Sequence, residues 1–390
     1  MTITTDRKLL LSLSAGLIFF TLSGGLMGRV VAVEGTYSYL KLFNEVLYLV
    51  VNNYVQPADM DALMDGAYRG MLETLDPANE YMPPARYQKA HQGENGGPAG
   101  IGINLTKRRG YVVVVSVAPG SPAFEAGLRS GDTLISIDGR STRSMGAWEA
   151  AYSLRGRPGS TLALVVSEVS GSGRQTRVLT RRTMRPGAPS GTLLPPGVGV
   201  VRLSSLNEGD AKRLDQAIAN LRSGGADRLL LDLRGCATDS LAEAIGVASL
   251  FIAQGPIVTV TDRYEGDRLY RADGRKIAWD GPLAVLVDEG TWRGCEVIAA
   301  ALRDGRGATL LGQRTWGAGT LQKLLPLRND DGVLLAVGKF LSPSGKEWNG
   351  KGIDPDLTID GDERDEGDPQ RLKAIDYLRG MSPSASRKVA

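Results

Sequence analysis

Val287-Asp288-Glu289-Gly290-Thr291-Trp292-Arg293-Gly294-Cys295-Glu296-Val297 carries the chain from one kind of element into another. Before it, Leu283–Val287 is a continuous apolar run of strand length. After it, Cys295–Leu302 is an apolar stretch of helical length. The same alternation lies upstream. Val198–Leu203 and Leu229–Leu233 read as strands, and Asp210–Leu221 and Leu241–Phe251 as helices. Continuous apolar strands are buried on both faces, so residues 190–365 are expected to form a mostly parallel sheet covered by helices. Chemistry in such a sheet collects beyond the carboxyl ends of its strands, where Val287–Val297 lies. Residues 366–390, charged and then Ser-rich, read as a flexible tail.

A different pattern precedes this core. Gly100-Ile101-Gly102-Ile103 is followed by the strand Tyr111–Val117 and then by Pro119-Gly120-Ser121-Pro122-Ala123. Next come Ala126-Gly127-Leu128, Gly131-Asp132, the strand Thr133–Ile137 and the turn Asp138-Gly139. This set resembles a PDZ domain over residues 96–182. The resemblance implies binding of protein C-terminal tails. Backbone N–H groups of Gly100, Ile101, Gly102 and Ile103 would converge on the terminal carboxylate, and the ligand would add as a strand on the sheet edge. Residues 34–95 form a helical region. Tyr39, Leu42, Phe43, Val46, Leu47 and Val50 recur at helical spacing, and a second helix ends before Leu75-Asp76-Pro77.

Together these segments resemble the carboxyl-terminal processing peptidases (tail-specific serine proteases). The matching pieces are Leu75-Asp76-Pro77 with Tyr81, Gly199–Leu206, Leu231-Asp232-Leu233-Arg234 and Gly312–Gln322. Ser342-Pro343-Ser344-Gly345 and Gly350–Asp356 complete the set. The resemblance implies a multidomain α+β chain of a helical region, a PDZ β-domain and an α/β tail-specific protease core, to which the uncharged N-terminal run adds an N-terminal membrane segment. It also implies a Ser/Lys dyad. The family's serine position is here Arg293, whose guanidinium stays protonated and cannot attack. Its lysine position is Ala318, in Trp316-Gly317-Ala318-Gly319, which can accept no proton. The supporting glutamine is kept as Gln322. The loop that helps form the oxyanion hole reads Gly235-Cys236-Ala237-Thr238-Asp239 and lacks the family's paired glycines. No catalytic dyad is intact. Thr291 and Cys295 flank the nucleophile position and are the candidate substitutes.

Composition sets the remaining limits. Of 390 residues, 42% are apolar and 23% charged, which is ordinary for a globular chain. A net charge of +3 with no basic run excludes nucleic acid as an expected partner. Leu9–Gly28 is uncharged, follows Arg7-Lys8, and is long enough to span a bilayer. Residues 1–33 are therefore read as a membrane anchor or a signal peptide. Arg29 directly after the apolar run favours the anchor, and either reading exports the rest to the periplasmic or extracytoplasmic side. No cofactor motif or zinc spacing is present, so neither cofactor nor metal is expected. The chain has only two cysteines, Cys236 and Cys295. The resemblance places both at the vacated site, either bridged or as two buried thiols.

The expected function is that of an exported PDZ-containing pseudoprotease. It would bind protein C-terminal tails or regulate a protease, with an active paralogue or a second copy as partner. The alternative is an active serine-type endopeptidase with a rearranged site.

Overall fold

Leu283–Val287 is buried at every residue because it runs through the middle of a six-stranded sheet. In order across the sheet the strands are Leu357–Thr358, Thr309–Gly312, Leu283–Val287, Arg228–Asp232, Val198–Arg202 and Ser190–Leu194. All pair in parallel except Ser190–Leu194, the antiparallel edge. The computed structural model describes residues 37–381 apart from 170, 172, 185, 186, 275 and 276. The membrane segment expected at residues 1–33 lies outside the described residues. Among those described, no helix is long and apolar enough to cross a membrane.

Three helices, Asp210–Ser223, Leu241–Ser249 and Gly294–Arg306, contribute to the larger core on one face of the sheet. Gly294–Arg306 is the most enclosed, with every residue from Gly294 to Leu302 buried. Truncating one of its aliphatic side chains would cost about 2–5 kcal/mol. The opposite face is covered by a helix that was not expected. Pro369–Arg379 buries Ala374, Ile375 and Leu378 against Val198, Leu230, Ala284 and Leu286. The expected flexible tail from residue 366 is thus corrected over residues 369–379. An apolar stripe and an N-cap at Asp368, whose side chain accepts from Arg371 N–H, hold that segment as a helix. Arg234 anchors it: the buried guanidinium pairs with Asp232 at 2.8 Å and with Asp368 at 2.7 Å.

A second sheet, antiparallel and also not expected, is built on the ten-residue strand Gly332–Leu341. That strand pairs with Thr320–Pro326, with Glu80–Met82 and with Pro256–Asp262. Its importance is positional, since it carries Gln322 and brings the segment before Glu80 beside it.

Residues 96–182 form an antiparallel sheet in the order Ile103–Arg108, Tyr111–Val117, Thr133–Ile137, Thr161–Ser167, Arg174–Thr180. Its core of Val112, Val114, Leu134, Leu164 and Val166 is separate from that of the α/β sheet. The bridge between Gly100 and Arg182 closes the domain near its two ends.

The described chain divides into two units at Ala67/Tyr68. In the first, residues 37–53 are helical and most of their large apolar side chains are exposed, Tyr39 and Leu42 among them. The helix Met60–Leu75 runs across the division. The helical region expected over 34–95 also contains a short strand, Glu80–Met82, which Pro77 and Pro83 bracket.

Candidate active site

The strand Leu283–Val287 ends and the chain turns through Asp288–Gly290. Asp288 organises the turn: its Oδ1 accepts from Gly235 N–H (2.9 Å), Gly290 N–H (3.0 Å) and the Thr291 hydroxyl (3.2 Å). Burial pushes Asp288 up to about 6. Trp292–Arg293 then pairs in parallel with Ala237–Thr238, which lays the loop after Arg228–Asp232 directly against the turn.

Arg293 is the N-cap of the helix Gly294–Arg306 with φ 53° and ψ −119°. A left-handed φ at a residue with a side chain costs on the order of 1–3 kcal/mol. A sharp strand-to-helix turn of this kind is suited to presenting a reactive side chain. Here it presents a guanidinium. One terminal nitrogen donates to Asp239 Oδ1 and the other to Gln322 Oε1 at 3.0 Å. The guanidinium lies 4.2 Å from the centroid of the Trp292 ring. Gln322 in turn donates to the Ala78 carbonyl at 2.8 Å.

Glu296 joins the two halves of the site. Its buried carboxylate accepts from Arg293 N–H (3.1 Å), Thr315 Oγ1 (2.5 Å), Gly317 N–H (2.7 Å) and Ala318 N–H (2.8 Å). Burial pushes it up to about 7, while these four donors favour the ionised form. The residue stands at the third helical position, where an acidic side chain can reach back to the N-cap, and this was the signal for it that the sequence reading did not use. Ala318 is thereby fixed beside Arg293, in a turn where Gly317 has φ +99°. A Cβ on Gly317 would lie 2.7 Å from Gly352 N. The turn's own residues, Trp316-Gly317-Ala318-Gly319, carry no amine.

Neither candidate substitute has a free side chain in this structure. Thr291 is fully buried and donates to the Leu233 carbonyl at 2.9 Å. Cys295 is fully buried and bonded to Cys236, with Cα atoms 5.9 Å apart. The disulfide ties the Gly235–Asp239 loop to the first turn of the helix. Lys323, next to Gln322 on the strand, has its amine 3.8 Å from Glu265.

A cleft of about 200 Å³ opens in front of Arg293, lined by Arg108, Trp292, Trp316, Ala318 and Gln322. A larger cavity, about 770 Å³, lies elsewhere between the 96–182 domain and the α/β sheet. Its lining charges are of both signs, and of the residues just described it holds only Gly235 and the turn Asp288–Gly290.

In the 96–182 domain, Gly100 is not free to bind a ligand. Its N–H donates to the Arg182 carbonyl at 3.1 Å and its carbonyl accepts from Arg182 N–H at 2.9 Å. The expected cradle is corrected to the remaining residues. Ile101 and Gly102 N–H groups meet no acceptor among the described residues. Gly102 holds φ +80°, and a Cβ there would lie 2.3 Å from Ser121 Cβ. The helix Ala147–Leu154 packs near the strand Ile103–Arg108, and its first turn donates Trp148 N–H to the buried Glu80 at 2.8 Å.

The family model for peptidase family S41 matches residues 197–359, and that for the PDZ domain matches residues 99–168. The chain is 31% identical over 323 residues to a chloroplastic C-terminal processing peptidase of Tetradesmus obliquus, covering 78% of this chain and 70% of the relative. It is 30% identical over 345 residues to a carboxy-terminal processing protease of Bacillus subtilis (strain 168), covering 88% and 74%. A solved structure, the photosystem II D1 C-terminal processing protease, superposes with a TM-score of 0.72 at 30% identity, over 89% of this chain and 92% of that one. With likeness of this extent in both sequence and fold, the chain belongs to the S41 family of carboxyl-terminal processing peptidases and carries a PDZ domain.

Proposed function

We propose that this chain is a catalytically inert member of its family, a pseudoprotease that binds polypeptide C-termini without cutting them. The observation that carries the reading is the guanidinium of Arg293 at the N-cap turn, facing Ala318. Peptide hydrolysis needs a nucleophile and a base within hydrogen-bond reach. A protonated guanidinium is neither, and a methyl group is no base. The alternative, an endopeptidase with a rearranged site, would need a free hydroxyl or thiol. The Thr291 hydroxyl is committed to Leu233 and Asp288, and the Cys295 sulfur to Cys236.

The PDZ domain supplies the binding half of the proposal, through the N–H groups of Ile101 and Gly102 and the edge of Ile103–Arg108. Export belongs to it as well: the uncharged run Leu9–Gly28 supports a membrane anchor, and the disulfide supports an oxidising compartment. The partner is then a protein tail on the same side of the membrane, presented to an active paralogue or to a second copy of this chain.

Titration of the exported chain with hexapeptides ending in an apolar residue tests this reading. The free acids should bind with a Kd on the order of micromolar, about −8 kcal/mol, and emerge intact by mass spectrometry. Equal affinity for the amidated peptides would refute tail recognition, and shortened peptides would refute inertness.

A further inference from the structure

Two cavities meet at Arg293. The cleft of about 200 Å³ on one side is lined by Lys107, Arg108 and Arg293 against a single carboxylate, Asp76. The pocket on the other side, about 80 Å³, is lined by Asp239, Leu241, Leu321 and Phe340. Arg293 and Gln322 line both. A polypeptide entering the larger cleft therefore meets a cation where its backbone would have to continue.

The guanidinium is suited to a carboxylate. It has five N–H donors, and the structure accounts for one bond to Asp239 and one to Gln322. The Trp292 ring at 4.2 Å fixes its plane. Asp239 shows that a carboxylate reaches this guanidinium. Its side chain is 76% exposed, so the pair is solvent-screened and a competing carboxylate can replace it at small cost. Arg108, exposed at the mouth, lies 5.5 Å over Trp316 and has no ion-pair partner among the described residues. Lys107 differs: its buried amine is held by Glu73 at 2.5 Å and the Arg143 carbonyl at 3.1 Å.

We propose that the vacated cleft is itself a carboxylate site, separate from the PDZ groove, that seats the free C-terminus of an extended polypeptide. The α-carboxylate bonds Arg293, Arg108 draws it in, and the last side chain packs on Trp316. Asp239 is the internal competitor that the ligand displaces. The proposal rests on the inert reading, since a peptide end can dwell there only if nothing attacks it.

The test is photo-crosslinking on the exported chain. A hexapeptide carries a benzophenone side chain at its penultimate residue and is used as free acid and as amide. Crosslinks are mapped by mass spectrometry and titrated. The acid should label the segment 315–323 and saturate at least about tenfold more tightly than the amide, as a charge-assisted pair implies. Arg293→Gln and the exposed Arg108→Gln should each weaken this labelling, and Asp239→Asn should tighten it. Labelling confined to the PDZ domain, equal saturation by acid and amide, or a shift of Asp239→Asn in the same direction as Arg293→Gln would overturn the proposal. A purely structural role for Arg293 does not predict those opposite signs. Hydrolysis of the peptide would overturn the inert reading and this one with it, whereas an intact peptide with no acid preference overturns the carboxylate site alone.

Discussion

Replacing both cysteines by alanine should remove about 4 kcal/mol of stability. The bridge joins Cys236 to Cys295 across a sequence separation of 59 residues. Loop-closure entropy for a ring of that size amounts to about 14 cal/mol/K, or about 4 kcal/mol at 25 °C. Both side chains are fully buried, so alanine adds only small cavities and no stranded polar group. For a domain of this size the loss corresponds to a fall in Tm on the order of 10 °C. Thermal and denaturant unfolding of the wild-type chain and the Cys236→Ala/Cys295→Ala variant measures it, with dithiothreitol added to the wild type as a second route to the same state. A loss below about 1 kcal/mol would refute the reasoning, as would two reactive thiols in the folded, non-reduced protein. The placement gives the bridge a further consequence. It fixes the Gly235–Asp239 loop against the helix Gly294–Arg306, so reduction should raise amide exchange in that loop before it affects the sheet.

Three other outcomes are expected. Arg293→Ser with Ala318→Lys should not restore family-level turnover of unfolded casein, because the bridged loop keeps Asp239 at the site; full turnover in that variant would refute the role given to the loop. Glu80 is buried, and burial pushes it up to about 7 against the Trp148 and Glu149 N–H groups and the Arg86 charge. Its folded value lies above the unfolded 4.5, so stability is fully present below pH 4.5 and falls by about 3 kcal/mol as pH rises through 7. Glu80→Gln should flatten that slope in denaturant titrations, and an unchanged slope would count against it. Arg234→Met leaves Asp232 and Asp368 without their buried partner and should cost about 3–5 kcal/mol. Limited proteolysis should then cut before the helix Pro369–Arg379, and resistance equal to wild type would contradict the anchoring.

The parallel sheet was legible because Leu283–Val287 and Leu229–Leu233 are unbroken apolar runs, which few other environments tolerate. The antiparallel sheet was not. Gly332–Leu341 reads as mixed polar and apolar because its residues are mostly half-buried, and two of its three partners, Glu80–Met82 and Pro256–Asp262, come from distant segments. Pro369–Arg379 was hidden by its neighbours. Ala374, Ile375 and Leu378 are the apolar part of its buried face, between a charged run and a Ser-rich end. At the site, the identities of Arg293 and Ala318 could be read directly. What could not be read was the commitment of Thr291 to Leu233, the approach of Thr315, Gly317 and Ala318 to Glu296, and the loss of the Gly100 N–H to Arg182. Each depends on groups far apart in the chain meeting at hydrogen-bond distance.

The central claim is that Arg293 and Ala318 leave the cleft without chemistry. Its most direct test is turnover: the purified chain incubated with unfolded casein, with new C-termini counted by mass spectrometry against a buffer control. The account predicts no new termini above that control, and none after addition of a tail-bearing peptide that engages the PDZ domain. New termini that appear in proportion to enzyme concentration and persist through repurification would contradict it.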